Sequence, residues 1–362
     1  MRYSPHQISS SPSNWLHGSK TGKYVFDLRP KKRKILTSIE IQTALENGYD
    51  VTKIYRTLEF PQRQVLFRSY IQKFLKIKLE ASGMPKQVDW KTFAKKHLEI
   101  LEIELEQSKM EKNPGLRAMA KLMLNSLWGK LGQNPSLPQT RTFNNDADYK
   151  EFVKKEQRGM IDIKQFQPLP GNRTIVQFVK NDELSDLGNK NVAAAAFVAA
   201  YGRLYLWETL HKLGDRVLYH DTDSVVYEHI PEGPNVTLGY MLGDWENELD
   251  EVDCIKSFVA LGPKTYSYQT AKGKSNIKCK GFSLTSKNRE IATHKNMINL
   301  IEASKQKSSS SLVLSDRVFK WDRKNGEYWT YVQSKLMRFT ADKNDIDWDT
   351  LTTKPFGHES FD

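Results

Sequence analysis

The sequence predicts a mixed α+β fold. Three segments lead to this prediction: a strand–turn–strand pattern at residues 217–227, a helical pattern at residues 117–130 and an Ala-rich helical pattern at residues 191–213. Strands are predicted from runs of β-branched and aromatic residues, and helices from apolar residues that recur every three to four positions. Both kinds of element are thus predicted in one chain, as a mixed fold requires.

The first third of the chain is predicted to hold an irregular lead-in followed by helices. Residues 1–34 are rich in Ser, Pro and His and show little periodicity. The patterns that follow predict a helix closed by Gly48, a strand at residues 51–60, helices at residues 66–80 and 90–110, and a helix opened by Pro114.

The remaining two thirds begin with a change in composition. Residues 132–190 are rich in Asn, Pro, Gln and Gly, and strands are predicted at residues 160–166 and 174–179. The small face of the Ala-rich helix is expected to pack behind the 217–227 hairpin. From about residue 285 a Ser- and Lys-rich stretch leads into a last mixed region, and no internal repeat is found.

The composition describes a basic, globular protein. Of its 362 residues, 38% are hydrophobic, and 55 Lys and Arg against 43 Asp and Glu give a net charge of +12. The length predicts about two domains. The charge favours a polyanionic partner, although many basic proteins bind no nucleic acid.

Cysteine usage and hydropathy predict an intracellular protein without a membrane partner. Cys254 and Cys279 form neither a disulfide framework nor a zinc-binding spacing. No apolar run reaches the roughly 18 residues of a membrane span, and the N-terminus has no signal-peptide pattern. The Lys- and Arg-rich run at residues 30–34 is interpreted either as a nuclear-localisation patch or as a solvated or phosphate-facing run.

A polar cluster lies at the turn of the predicted hairpin. Asp221 and Asp223 are separated by Thr222 and flanked by the strands Val217–Tyr219 and Val225–Tyr227. The turn therefore presents both carboxylates together, and hard oxygen ligands of this kind suit Mg²⁺. The alternative is ordinary turn chemistry, because Asp, Ser and Thr all bond to their own backbone in turns.

A second polar cluster lies on the helix that begins near Pro114. At 100° per residue, four side chains fall within about 80° of one another: Arg117, Lys121, Asn125 and Trp128. Met119, Leu122 and Met123 lie on other faces, where we expect them to pack. One face thus offers charge for phosphate and a flat surface for a base. The alternative is a solvated basic stripe on a helix capped near Gly129.

The two clusters, in this order and separation, resemble motifs B and C of family B DNA polymerases. Motif B is Lys, three residues, Asn, Ser, any residue, Tyr and Gly; the chain matches it with Lys121, Asn125, Ser126, Trp128 and Gly129, with Trp in place of Tyr. Motif C, Tyr-x-Asp-Thr-Asp-Ser, is matched by residues 219–224. Lys264 and Tyr266 resemble the family's Lys-x-Tyr motif, and the stretch with Lys278 and Lys280 resembles the basic segment that follows it.

The resemblance is closest to the protein-primed branch found in Polinton (Maverick) transposons, related viruses and linear plasmids. It rests on residues 36–60, 66–82, 242–245 and 353–357 and covers the chain from about Lys34 onward. It implies the following organisation: a palm segment at 35–65, helical fingers at 66–131, an inserted hairpin region at 132–190, an antiparallel palm sheet with motif C at 191–284, and a C-terminal thumb at 285–362.

The family resemblance implies a two-metal transfer of nucleotides from dNTPs to a DNA primer, with two Mg²⁺ ions. In this scheme Asp223 is a metal ligand and Asp221 supports it. Primer–template DNA and dNTPs are the implied partners, together with a terminal protein as primer. The resemblance further implies that the triphosphate is bound by Lys121, Arg117 and Lys78, and that the nascent base pair and sugar are contacted by Asn125 and Trp128, with Gly129 beside a closely approaching nucleotide. It also implies that the primer terminus is held by Lys264 and Tyr266, and that backbone phosphates are bound by Lys278 and Lys280.

The chain departs from the family pattern in its first half. The further metal-binding Asp of motif A, Asp-x-x-Ser-Leu-Tyr-Pro, has no counterpart, because the segment at Asp50 lacks the Ser, Leu and Pro and carries Lys53. The exonuclease carboxylates are missing as well. We therefore interpret Asp50 as a decoy and expect a C-terminal fragment that is inactive alone.

Two alternatives remain beside this interpretation. One is a catalytically dead, transposon-derived DNA-binding module. The other, an RNA-templated polymerase, is disfavoured because such enzymes usually carry adjacent aspartates at the palm turn. A polymerase further requires that Lys121 and Asp223 face one shared cleft.

Overall fold

The structure is a computed structural model, and it describes residues 2–3, 17–18, 24–25, 34–62, 64–85, 88–134, 137–171, 173–180, 190–250, 253–322, 327–350, 352–354 and 356. The chain divides into two compact units. Unit 1 comprises Met1–Tyr55, Ala199–Lys320 and Tyr328–Asp362, and unit 2 comprises Arg56–Val198 and Trp321–Glu327.

The described residues form helices and mainly antiparallel strands, so the fold is α+β. The helices are α1 (Ser38–Glu46), α2 (Arg68–Glu80), α3 (Trp90–Leu101), α4 (Pro114–Leu131), α5 (Asp146–Gln157), α6 (Val192–Leu213), α7 (Ser286–Ile291) and α8 (His294–Lys305). The strands are β1 (Arg2–Tyr3), β2 (His17–Gly18), β3 (Tyr24–Val25), β4 (Gln139–Phe143), β5 (Ile161–Leu169), β6 (Arg173–Lys180), β7 (Val217–Asp221), β8 (Ser224–Tyr227), β9 (Ile255–Gly262), β10 (Thr265–Thr270), β11 (Ser275–Lys278), β12 (Leu312–Asp322), β13 (Glu327–Met337), β14 (Asp345–Ile346) and β15 (Thr352–Lys354).

Unit 1 is built around two small antiparallel sheets. Strands β7 and β8 form a hairpin, and β9, β10 and β11 form a sheet with β10 in the centre. Helix α8 is tied to that sheet by His294, whose Nδ1 lies 3.0 Å from the Ser267 hydroxyl and whose Nε2 lies 2.8 Å from the Ser257 hydroxyl. The apolar core beneath it contains Val259, Leu261, Ala292, Met297, Leu300, Leu314 and Met337. A second core links α6 to the hairpin through Leu206, Trp207, Leu210, Leu213 and Val217.

Unit 2 contains a helical part and a small sheet. Helices α2 and α4 are joined by the Tyr70 hydroxyl, which donates to the Met123 carbonyl at 3.0 Å. The sheet has the order β4–β6–β5 and is antiparallel. Together with α5 it encloses its own core of Phe143, Phe152, Ile161, Val176 and Phe178.

The principal predicted elements are confirmed: α1, α2, α4, α6, the β7–β8 hairpin and strands β5 and β6. Segment 132–190 contains β4 and α5 in addition to the predicted hairpin strands, and these two elements were not predicted. Residues 1–34 were predicted to be irregular, yet β1, β2 and β3 lie there. The basic run at 30–34 lies outside the described residues except for Lys34.

Two elements were predicted wrongly. Residues 51–60 form no strand, and all of them are exposed, because a strand is stabilised by neighbours that this segment does not have among the described residues. The helix predicted to reach residue 110 ends at Leu101. Glu102 has a left-handed φ of 55°, after which Ile103 and Leu105 are buried while Glu104 is exposed, a period of two that a helix cannot satisfy.

Candidate active site

The turn between β7 and β8 holds Asp221 and Asp223 in a strained backbone. Thr222 has a φ of 54°, and the Asp223 N–H donates to the Asp221 carbonyl at 2.6 Å, which closes a three-residue turn. The Ser224 hydroxyl donates to the same carbonyl at 3.0 Å. A β-branched residue in left-handed conformation costs about 1–2 kcal/mol, and such strain is concentrated at functional sites.

Lys264 connects the Lys-x-Tyr segment to this turn. Its Nζ donates to both carboxylate oxygens of Asp221, at 2.8 and 2.7 Å. Its backbone N–H donates to the Tyr219 hydroxyl at 2.9 Å. Lys264 has a left-handed φ of 59°, as Thr222 does in the turn whose Asp221 it contacts. Segments more than 40 positions apart thus converge on one carboxylate.

Aromatic rings surround this contact. The ring of Tyr219 lies 5.0 Å from that of Tyr266 and 5.8 Å from that of Phe258. Burial raises the pKa of the Tyr219 hydroxyl; the hydrogen bond from Lys264 opposes this, and the negative charge of Asp221 adds to it. Tyr219 therefore stays protonated at neutral pH and can only position Lys264.

His220 lies beside this arrangement, between Tyr219 and Asp221. Burial lowers the pKa of His220 to about 4, and the nearby Asp221 carboxylate acts in the opposite direction. The imidazole is therefore neutral at neutral pH and adds no charge to the turn.

The two carboxylates of the turn differ in their surroundings. Asp221 is partly buried and neutralised by Lys264. Asp223 is exposed, and its carboxylate has no hydrogen-bond or ion-pair partner within the described ranges. Asp223 is therefore the carboxylate whose oxygens are available to a hard cation such as Mg²⁺.

A complete two-metal site is not formed by the residues that the structure describes. Nowhere in these ranges do three or more His, Cys, Asp or Glu side chains form a group that could hold a metal ion. Asp50 is exposed and belongs to no such group. Asp223 is suited to be a metal ligand, but the described residues around it provide too few further ligands for two ions.

Helix α4 presents the second predicted set of site residues. It begins at an Asn113 side chain that accepts from the Leu116 N–H at 3.0 Å, followed by Pro114. Lys121 and Asn125 are exposed, and neither side chain has a hydrogen-bond or ion-pair partner in the described part of the chain. Contrary to prediction, Met119 and Leu122 are also exposed, because the buried face of α4 lies on the side of Ala120 and Leu131.

Three further residues of the predicted site are held by hydrogen bonds. The Trp128 indole N–H donates to the Ala195 carbonyl at 3.1 Å, which fixes the half-exposed ring. The Ser82 hydroxyl donates to the Lys78 carbonyl at 2.6 Å and accepts from Arg117 Nε at 3.1 Å. Ser82 brings two of the predicted cationic residues together. Its position just after α2 is the only sequence signal for this bridging role, because the contact with Arg117 forms only when α2 and α4 pack together.

Lys278 and Lys280 lie next to the Lys-x-Tyr segment. Lys278 is the cross-strand neighbour of Tyr266, and the Lys280 N–H donates to the Thr265 hydroxyl at 3.2 Å. The predicted site residues thus form two groups. One, around Asp221, belongs to unit 1; the other, on α2 and α4, belongs to unit 2, and the shared cleft stays a prediction.

The chain is similar to known DNA polymerases. It matches the family described as DNA polymerase type B, organellar and viral, at residues 4–99 and 88–167. The match begins upstream of Lys34 and ends before β7. A curated relative described as a probable DNA polymerase, from Neurospora intermedia, is 24% identical over 233 residues, which is 61% of this chain and 21% of the relative. No solved structure matches the chain.

The chain is therefore similar to type B DNA polymerases over part of its length. It spans about a fifth of the length of the curated relative that it matches. No helix within the described ranges combines the length and the apolar character that crossing a membrane requires.

Proposed function

We propose that the chain carries part of the active centre of a DNA-directed DNA polymerase, which adds nucleotides from dNTPs to a DNA primer. The convergence of Tyr219, Asp221 and Lys264 beside the open carboxylate of Asp223 carries this proposal. Ordinary turn chemistry explains the Ser224 hydrogen bond. It does not explain the ion pair between Asp221 and Lys264, which lies at a turn of a different sheet.

The two aspartates have different tasks in the proposed site. Asp221 positions the Lys264 ammonium, and Lys264 then holds the primer terminus together with Tyr266. Asp223 is the metal ligand. Mg²⁺ bound there would stabilise negative charge on the reacting phosphate. Further carboxylates would come from a motif A segment.

The α4 stripe binds the incoming nucleotide in this proposal. Lys121 and Arg117 neutralise the triphosphate, with Lys78 as a third cation. Asn125 and Trp128 contact the base pair and sugar. Gly129 lets the nucleotide approach the backbone closely, since no described atom apart from its chain neighbours and the backbone of α4 lies within 4 Å of the position a Cβ would take there. Lys278 and Lys280 hold backbone phosphates.

The organisation into palm, fingers, inserted hairpin and thumb belongs to the same proposal, as do protein priming and an intracellular location, which would be nuclear if the chain derives from a eukaryotic transposon. They rest on the sequence resemblance to the Polinton branch. A terminal protein would serve as the primer in that case.

Primer extension tests the proposal. With Mg²⁺ and all four dNTPs, the chain alone is expected to extend no primer, because one available carboxylate anchors only part of the charge that develops in the transition state. Adding a polypeptide that contains Asp-x-x-Ser-Leu-Tyr-Pro is expected to restore extension, and Asp223→Asn to abolish it. Extension by the chain alone that is lost in Asp50→Asn would contradict the interpretation of Asp50.

The alternative, a catalytically dead DNA-binding module, predicts a different result. Such a module binds primer–template DNA but stays inactive when the motif A polypeptide is added. Both functions predict binding that weakens steeply with salt and depends little on sequence. Under either, Lys280→Ala should reduce the salt slope by about 0.9 for one phosphate contact.

A further inference from the structure

The charge of unit 1 is divided unevenly along the sequence. Residues 217–255 contain ten Asp and Glu and no Lys or Arg. The segment therefore carries a charge of −10, and since the whole chain has a net charge of +12, the rest of the chain carries +22. Away from the β7–β8 turn, where bound Mg²⁺ would offset the charge, the segment therefore repels nucleic acid, whereas the remaining surface attracts it.

An exposed apolar surface accompanies these carboxylates. Leu238 is 57% exposed and Leu242 60% exposed, and both lie in the loop that follows β8. Tyr201 and Tyr205 are exposed one turn apart on the same face of α6. We call these four side chains the Leu–Tyr surface. Exposed apolar groups rimmed by polar residues mark interaction sites more often than isolated ones do.

The Leu–Tyr surface has a fixed shape. The ring of Tyr205 stacks on Trp245 with centroids 5.9 Å apart, and the Tyr205 hydroxyl donates to the Gly243 carbonyl. Trp245 packs against the α6 core and bridges to Leu238. The Tyr205 side chain and the backbone at Leu238 are thus held before any partner binds, which lowers the entropic cost of association.

Acidic side chains lie beside the apolar groups. Asp244 lies two residues after Leu242, and Glu246 and Glu248 follow at two and four residues further along; all three are exposed. The Asp244 carboxylate accepts from the Met241 N–H at 2.9 Å, which fixes its position near Leu242. A partner that covers the leucines therefore has to meet negative charge at the same time.

We propose that the Leu–Tyr surface docks a basic amphipathic segment of another protein, with apolar side chains over Leu238, Leu242 and the tyrosines, and Lys or Arg beside Asp244, Glu246 and Glu248. Burial of the apolar groups supplies affinity, and the charges select the partner and its orientation. DNA is excluded as the occupant by the same charges. This docking does not depend on polymerase activity.

Two synthetic helical peptides with the same leucine face test the charge requirement. One carries Lys on its polar face and the other carries Glu, and binding to the full chain is measured by calorimetry. The Lys peptide is expected to bind at least tenfold more tightly than the Glu peptide. Equal affinities would overturn the proposal.

Paired substitutions test the location. Leu238→Ser with Leu242→Ser is expected to weaken binding of the Lys peptide at least tenfold. The matched control is Val332→Ser with Leu336→Ser on β13, whose side chains are 61% and 59% exposed, and it should bind as the unchanged chain does. An equal loss in both variants, or no loss in the first, would overturn the proposal.

Sedimentation and DNA binding test the other occupants. The unchanged chain is expected to be monomeric at the concentrations used, and the Leu238→Ser, Leu242→Ser variant should bind duplex DNA normally. A dimer that this variant dissociates would identify a second copy as the occupant, and lost DNA binding would identify DNA. Either result would overturn the proposal without bearing on primer extension.

Discussion

The two groups of predicted site residues differ in how their side chains are held. In the β7–β8 hairpin and the loop that follows it, Asp221 is paired with Lys264 and the Asp244 carboxylate accepts from the Met241 N–H, although the Asp223 carboxylate is open. On α4, Lys121 and Asn125 point to solvent, and within the described ranges their side chains bond to no other residue. Both regions carry motifs that resemble those of family B DNA polymerases.

The difference indicates which property each region controls. Where the protein itself supplies the partners, a substitution should change the free energy of unfolding, because a satisfied group is left unpaired. Where the partner is a phosphate or a base, a substitution should leave the fold unchanged and weaken binding. Four substitutions separate these effects, and they are taken from the largest expected change in stability to the smallest.

Gly239→Ala is expected to destabilise the chain by about 2–3 kcal/mol, as overpacking does. A Cβ at this position would lie 2.0 Å from Asp244 Oδ2 and 2.9 Å from the Asp244 Cβ, so the whole side chain would have to leave its place on Met241. Urea unfolding measures the effect. A change below about 0.5 kcal/mol would show that the loop is not held as described.

Lys264→Met is expected to cost about 1 kcal/mol, since it removes an ion pair that is only partly buried and leaves Asp221 without its cation. The matched control is Lys278→Met, which also lies in the sheet of unit 1 but has no described ion-pair partner. The control should unfold at the same urea concentration as the unchanged chain. Equal losses in both would contradict the contrast.

The sequence predicted the local elements of both regions well. The α4 helix was predictable because Asn113, Pro114 and the apolar spacing give the same answer, and the hairpin because two β-branched runs flank a short polar turn. The strand at 51–60 was wrong because its pattern met no partner among the described residues. The prediction of a helix beyond Leu101 was wrong because Ile103 and Leu105 alternate with polar residues, a period of two that is typical of extended chain.

Contacts between distant segments were not predictable from one sequence. The motif resemblance grouped Lys264 with Asp221 by function, but the ion pair depends on left-handed residues at Thr222 and Lys264, positions where composition gives no glycine to indicate the turn. Ser82 was missed for the same reason, since its role arises only when α2 and α4 pack. Side-chain partners across such distances follow from tertiary structure alone.

Gly129→Ala sharpens the comparison because its two expected effects have opposite signs. Apart from the chain neighbours and the backbone of α4, no described atom lies within 4 Å of the added methyl group, and Ala is favoured over Gly inside a helix by up to about 1 kcal/mol, so the chain should become more stable. If the open backbone at Gly129 receives the nucleotide, binding of dNTP in the completed enzyme should weaken. Greater stability with unchanged dNTP binding would remove Gly129 from the proposed site.

Lys121→Met is expected to have the smallest effect on stability, below about 0.5 kcal/mol, because the exposed ammonium has no described partner to lose. Its effect should appear in binding: the completed enzyme is expected to bind dNTP more weakly, because one charged contact to the triphosphate is lost. Lys130→Met is the matched control, because it removes the same charge from the same helix about 180° away, where Lys130 donates to Gln133 at 2.8 Å. Titrations of both completed variant enzymes with dNTP should therefore differ, and equal affinities would show that the α4 stripe contributes only general positive charge.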